Sequence, residues 1–168
     1  MALPVADGRA LTDRLDALGI DWTMAEHAAV FTAGESDAVL DAMPGLHTKN
    51  LFLKDAAGRF WLVTGPARLR VDLKALPPII GAKRVSFGKA DDMERLLGVA
   101  PGAVTPLAAV NDGGRLVTVV LDRSVAAAAR VNVHPLRNTA TLGLSGAGLA
   151  AALAAWGHDP IVVDLPEA

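Results

Sequence analysis

The tightest constraint on this fold lies in residues 45–64. Leu51-Phe52-Leu53 is a short, unbroken apolar run of the kind that fills the middle of a sheet, and Phe60-Trp61-Leu62-Val63 is a second. Between them sits the turn Ala56-Ala57-Gly58-Arg59. Two such runs flanking a glycine turn predict an antiparallel hairpin. The first strand opens with Lys49-Asn50. A lysine immediately ahead of a buried run is either a solvated strand end or an ammonium held over a pocket. Lysine is seldom buried, which favours the first reading on residue type alone. In the second, the ammonium is a point-charge partner for a phosphate or an oxyanion.

The remaining elements are short. Leu11, Leu15 and Leu18 at helical spacing predict a helix over residues 9–18 that Gly19 stops. Alternation predicts a strand over 21–27, and Thr32 or Ser36 is placed to cap a helix running to Met43. Asp72 is a cap for a helix that Pro77-Pro78 disturbs and Gly81 closes. Residues 84–87 read as a strand and 89–97 as an amphipathic helix closed by Gly98. Strands over 107–110 and 116–121 flank Asn111-Asp112-Gly113-Gly114, the strongest hairpin signal in the chain. A helix over 123–130, strands over 131–136 and 139–144, a core helix over 147–156 and a final strand over 161–165 follow. Strands and helices mix without a strict βαβ rhythm, so the expected class is α+β with a mixed sheet.

Size and composition narrow the function. A chain of 168 residues is expected to form one domain, residues 1–168, without staples. The absence of cysteine excludes disulfides, thiolate metal sites and a thiol nucleophile. A net charge of −2 advertises neither nucleic acid nor an anionic membrane, so any nucleic-acid contact is local. The N-terminal residues lack the basic and apolar regions of a signal peptide. Residues 138–158 carry no formal charge but are too polar and glycine-broken to span a bilayer. These features predict a soluble, cytoplasmic protein without a membrane partner.

Several motifs fail on inspection. Residues 81–89 have the wrong glycine spacing for a phosphate loop, and Ala90 stands where it needs Ser or Thr. Gly143-Leu144-Ser145-Gly146-Ala147 lacks the second glycine of a nucleophile elbow. His27, His47, His134 and His158 show no metal-ligand spacing, and no metal or other cofactor is expected. What remains is Lys49-Asn50, the loop Gly102-Ala103-Val104-Thr105-Pro106, and His134 before Pro135. Asn50 read alone is a strand-end amide, and His134 an edge histidine. In the loop, glycine lets a ligand approach the backbone and proline keeps the amides preorganised; the competing reading is an ordinary turn.

In chain order, Lys49-Asn50-Leu51-Phe52-Leu53-Lys54-Asp55, Asp72-Leu73-Lys74, Arg84-Val85-Ser86-Phe87, the segment from Leu97 to Pro106, Asn111-Asp112, His134-Pro135-Leu136 and Asn138-Thr139-Ala140-Thr141 form a series. That series resembles the YbaK/ProX family of aminoacyl-tRNA deacylases, related to the editing domain of bacterial prolyl-tRNA synthetases. The resemblance runs from about Leu11 to Leu165 and implies a mixed, partly rolled β-sheet surrounded by helices. The Lys-Asn-Leu-Phe-Leu form looks like the branch that removes alanine from tRNA-Pro. It implies a trans-editing hydrolase acting on the tRNA-Pro acceptor end, with prolyl-tRNA synthetase as a further partner.

By the same resemblance, the amides of the Gly102–Pro106 loop hold the aminoacyl carbonyl and Lys49 positions the terminal nucleotide or stabilises charge. Asn50 helps to orient the substrate, and His134 lies near the terminal ribose. The helix over 35–43 is placed to wall the amino-acid pocket. Arg68, Arg70, Lys74, Lys83 and Arg84, with Lys89, face only Asp72 as an acid across residues 66–89. They form either a solvated basic surface or a patch for acceptor-stem phosphates. Two alternatives stay open: a deacylase for Cys-tRNA-Pro or Ser-tRNA, and a non-catalytic tRNA-binding module. Sequence leaves the oligomeric state open.

Overall fold

A computed structural model describes residues 8–28 and 43–168. The helix expected over 35–43 falls almost wholly outside them. Helix α1 (Gly8–Ala17) buries Leu11 and Leu15, while Leu18 lies past its end and is 42% exposed. Then come strands β1 (Thr23–Glu26), β2 (Leu46–Asp55) and β3 (Phe60–Pro66), helix α2 (Leu76–Ile80), β4 (Val85–Phe87) and α3 (Ala90–Leu97). Two 3-10 turns, Pro101–Ala103 and Pro106–Asn111, lead into β5 (Val117–Asp122) and α4 (Arg123–Ala127). Strands β6 (Val131–Val133) and β7 (Ala140–Leu144), helix α5 (Gly146–Ala155) and β8 (Ile161–Val163) complete the order. The class is α+β, as expected.

Among the described residues, eight strands form one mixed sheet in the order β1-β7-β6-β2-β3-β5-β8, with β4 also beside β2. The expected β2–β3 hairpin is present, pairing Phe52 with Leu62 and Leu53 with Trp61. Its apolar runs are unbroken because both faces are covered. Phe52 and Leu62 enter one core with α1, α3, α5 and the second 3-10 turn. Leu53, Trp61 and Val63 enter another with Leu76, Ile80 and Leu165. Asp55 ties the turn together by accepting hydrogen bonds from Ala57 N and Arg59 N at 3.0 Å, Trp61 Nε1 at 3.1 Å and Lys83 N at 3.3 Å. Burial pushes this carboxyl up, but those four donors outweigh it and hold the acid below its usual range.

Strand β2 joins two halves of the sheet. With β3 on one edge, its other edge pairs parallel with β6 at Leu46 and His47, and antiparallel with β4 at residues 53–55. Lys49, Asn50 and Leu51 therefore lie in a gap between β6 and β4 on that edge.

The second expected hairpin does not form. Residues 106–111 are a 3-10 turn, not a strand, and β5 runs parallel to both its neighbours, β3 and β8. The turn-forming side chains serve as caps instead. Thr105 Oγ1 accepts from Leu107 N, Asn111 Nδ2 donates to Leu97 O at 3.0 Å, and Asp112 accepts from Leu116 N and Val117 N. The positive φ falls on Arg115, at 54°. Asp112 also holds His158, Nε2 to Oδ2 at 2.9 Å, with both side chains 2% exposed. Burial raises the Asp112 carboxyl, but His158 and the two amides outweigh it and keep it ionised. Likewise, the strand expected over 131–136 stops at Val133, and Leu136 takes φ 70°. Among the described residues, no helix is long and apolar enough to cross a membrane.

Candidate active site

Lys49 and Asn50 are adjacent in sequence, and the pleat of β2 sends them to opposite faces of the sheet. Asn50 stands opposite Thr64 of β3, whose hydroxyl donates to Asn50 Oδ1 at 2.6 Å. Its Nδ2 donates to Val104 O at 2.9 Å. Both ends of the amide are thus engaged, and Asn50 fastens the Gly102–Pro106 loop to the buried centre of the hairpin.

Within that loop, Ala103 N donates to Ala100 O at 2.9 Å, and Pro106 has no N–H. The Thr105 carbonyl and hydroxyl receive Ala108 N and Leu107 N. Two of the expected five amides are therefore out of play, and of Gly102, Val104 and Thr105 only Gly102 is exposed. A Cβ on Gly102 would stand 3.4 Å from Asn138 Nδ2, which places the loop against the β6–β7 connection that also carries His134.

Lys49 lies opposite Gly65, where a Cβ would meet Leu165 Cδ1 at 2.8 Å, on the face away from Phe52. Alternation puts it on the same face as His47, two residues earlier. There the register builds one row across four strands: His47, Asn132, Gly143 and Thr23. Asn132 is 3% exposed; its Nδ2 donates to Pro44 O at 2.8 Å and to His47 Nδ1 at 3.3 Å. His47 Nε2 then carries the hydrogen and donates to Met43 O at 3.1 Å. Among the described residues, the half-buried Lys49 ammonium has no ion-pair partner.

One step along this face are two more histidines. His27 Nδ1 donates to Ala28 O at 2.8 Å, leaving Nε2 to accept from the Thr141 hydroxyl, also at 2.8 Å. Burial holds the His134 imidazole below its usual range; a backbone bond to Ala140 opposes this, and the charge of His27 adds to it. His134 Nδ1 is buried with no hydrogen-bond partner. A buried ring nitrogen left without a partner in this way is costly until something bonds to it.

Sequence reasoning missed Arg130, Asn132, His47, His27 and Thr141 as members of this face. A signal was present: Arg130-Val131-Asn132-Val133-His134 alternates polar and apolar at every step. Of the expected basic patch, Arg68, Arg70 and Lys74 precede α2 and Lys83 and Arg84 follow it, all exposed. Among the described residues, no three His, Asp or Glu side chains cluster as metal ligands would.

The sequence profile of the aminoacyl-tRNA editing domain matches residues 27–152, which include every residue of this face except Thr23. The chain belongs to the aminoacyl-tRNA editing family. Prolyl-tRNA editing protein ProX of Acetoanaerobium sticklandii is 37% identical over 138 residues, 82% of this chain and 84% of that protein. Prolyl-tRNA synthetase associated domain-containing protein 1 of Bos taurus is 37% identical over 160 residues, 92% of this chain and 93% of the relative. The solved structure of hypothetical protein APE2540 superposes with a TM-score of 0.74 at 24% identity, covering 92% of this chain and 97% of that one. Membership makes the protein an aminoacyl-tRNA deacylase, a hydrolase of the ester between amino acid and tRNA.

Proposed function

We propose that the protein removes alanine mistakenly attached to tRNA-Pro, acting in trans beside prolyl-tRNA synthetase in the cytoplasm. The observation that carries the reading is the bare, buried Nδ1 of His134 next to the loop that Asn50 anchors. A ring nitrogen desolvated in this way fits a ribose hydroxyl, and the 3′-terminal adenosine of a tRNA brings one beside the ester. The similarity to a prolyl-tRNA editing protein supports the tRNA species.

The reaction needs no protein nucleophile. Water, held by donating to the oxygen of the neighbouring ribose hydroxyl, forms a bond to the acyl carbon, the bond to the ribose ester oxygen breaks, and the water's other proton passes to that oxygen. His134 Nδ1 accepts from this hydroxyl and fixes its orientation. The N–H of Gly102 faces the developing oxyanion, where such a donor is worth about 2.7–4 kcal/mol. Lys49 holds the terminal phosphate by charge, its ammonium having no ion-pair partner among the described residues. Arg68, Arg70, Lys74, Lys83 and Arg84 attract the acceptor stem, so tRNA affinity falls steeply as salt rises; a flat salt response removes the patch from the reading.

Specificity follows from exclusion. A proline pocket gains only about 1–3 kcal/mol against a ligand one methylene smaller, so alanine passes the synthetase and a smaller second sieve must reject proline. Hydrolysis of a panel of tRNA-Pro charged with Ala, Cys, Ser and Pro tests this. The reading expects Ala-tRNA-Pro to be cleaved fastest and Pro-tRNA-Pro to persist. Equal rates on all four defeat size exclusion, fastest cleavage of Cys or Ser changes the substrate, and persistent ester on all four leaves a binding module.

A further inference from the structure

An opening continues the polar face away from Lys49. It is a cleft of about 490 Å³ between the α1–β1 connection and the start of α5, lined by Ile20, Asp21, Trp22, Arg130, Gly143 and Ser145 among others. Arg130 reaches it through a slot made by two glycines. A Cβ on Gly143 would lie 2.6 Å from the Arg130 guanidinium nitrogen Nη2, and a Cβ on Gly45 would lie 2.9 Å from Arg130 Cγ. Any side chain at Gly143 would displace the guanidinium. Among the described residues it makes one long bond, Nε to Asn132 Oδ1 at 3.5 Å, and no carboxylate pairs with it. The cleft's own acid, Asp21, sits exposed at its rim. Trp22 is fixed there by its Nε1 bond to Asp16 Oδ1 at 2.8 Å.

We infer that Arg130 binds a phosphodiester of the single-stranded acceptor end of the tRNA, and that the cleft holds a nucleotide upstream of the one at Lys49. This rests on the tRNA reading above. Pleat and strand spacings put Gly143 about 12 Å from the Cα of Lys49, on the same face, two strands across and one residue pair along. A guanidinium without a carboxylate partner, beside an indole and in a cleft large enough for a nucleotide, is the combination that tracks a single strand. The Gly45 and Gly143 slot explains why this arginine is held in place without an ion pair.

The test is binding of uncharged tRNA-Pro to the wild type, Arg130→Gln, Arg130→Lys and Gly143→Ala across a salt series, with KM and kcat for Ala-tRNA-Pro measured in parallel. A charged hydrogen bond lost to solvent should weaken binding roughly tenfold. Arg130→Gln should also flatten the log–log salt slope by about 0.7–1, while Arg130→Lys keeps the slope. The loss should appear in KM. Gly143→Ala, which keeps the charge but displaces it, should weaken binding in the same direction. With tRNA-Pro lacking its terminal single-stranded nucleotides, the difference between wild type and Arg130→Gln should vanish. An unchanged slope in Arg130→Gln, or a difference that persists on the truncated tRNA, overturns the inference. Uncharged tRNA as the binding probe separates the two readings: tight, Arg130-dependent binding of it with no hydrolysis of Ala-tRNA-Pro overturns the alanine substrate and leaves this site standing.

Discussion

Asn50→Ala is the perturbation that most sharply separates a tie between loop and sheet from a residue that only touches substrate. It removes the acceptor of Thr64 Oγ1, whose side chain is fully buried, and the donor to Val104 O in a residue 8% exposed. A buried polar group left unmade costs about 1–3 kcal/mol, so two such groups lower stability by about 2–5 kcal/mol. For a domain of this size, about 2–4 °C per kcal/mol makes this a drop in Tm of roughly 4–20 °C. Urea melts of Asn50→Ala, Thr64→Val and the double variant measure it. Because Thr64→Val removes the hydroxyl that Asn50→Ala strands, the double variant should be more stable than the sum of the single losses by about 1 kcal/mol. Freed from the sheet, the Gly102 loop should also lose its catalytic register, and kcat should fall even under conditions where the variant is fully folded. Additive losses, or an unchanged Tm, refute the tie.

Further outcomes follow from the same geometry. Lys49→Ala should keep its fold, since it removes no core side chain, yet lower kcat/KM at least about a hundredfold, the scale of one lost transition-state contact; near-wild-type hydrolysis makes Lys49 the wrong anchor. His134 has a folded-state pKa below the usual His value of about 6.5, so the unfolded chain binds more protons near that pH. Its contribution to stability is complete above about pH 6.5 and is lost as pH falls through the lower folded value. Melts between pH 7 and 5 should therefore show a smaller acid loss in His134→Gln than in wild type. Asp112→Ala leaves His158 and the amides of Leu116 and Val117 without their carboxylate, a loss of about 3–5 kcal/mol readable in denaturant midpoints.

The β2–β3 hairpin was legible because the apolar runs around Gly58 leave the chain one economical way to bury both faces. Residues 107–110 were misread because Asn111-Asp112-Gly113-Gly114 carries the residues of a tight turn but uses them as caps, with Asp112 drawn to His158 46 positions away. No local pattern announces that partner. At the site, Lys49 and Asn50 read as one dipeptide, whereas the two-residue strand period divides their work between a polar face and a buried tie. Arg130, Asn132 and His134 were present as an alternation. Their meaning depended on the pairing of β6 with β2 and β7, which sequence alone does not supply.

The central claim places the acyl ester between the Nδ1 of His134 and the Gly102 loop, with the terminal phosphate at Lys49. It is tested most directly by an NMR titration with adenosine 5′-monophosphate carrying alanine through a 3′-amide, which cannot be hydrolysed. The account predicts shifts in the His134 ring Nδ1, the Lys49 ammonium and the amide of Gly102, saturating together. Saturable binding that moves other residues and leaves those three signals in place contradicts it.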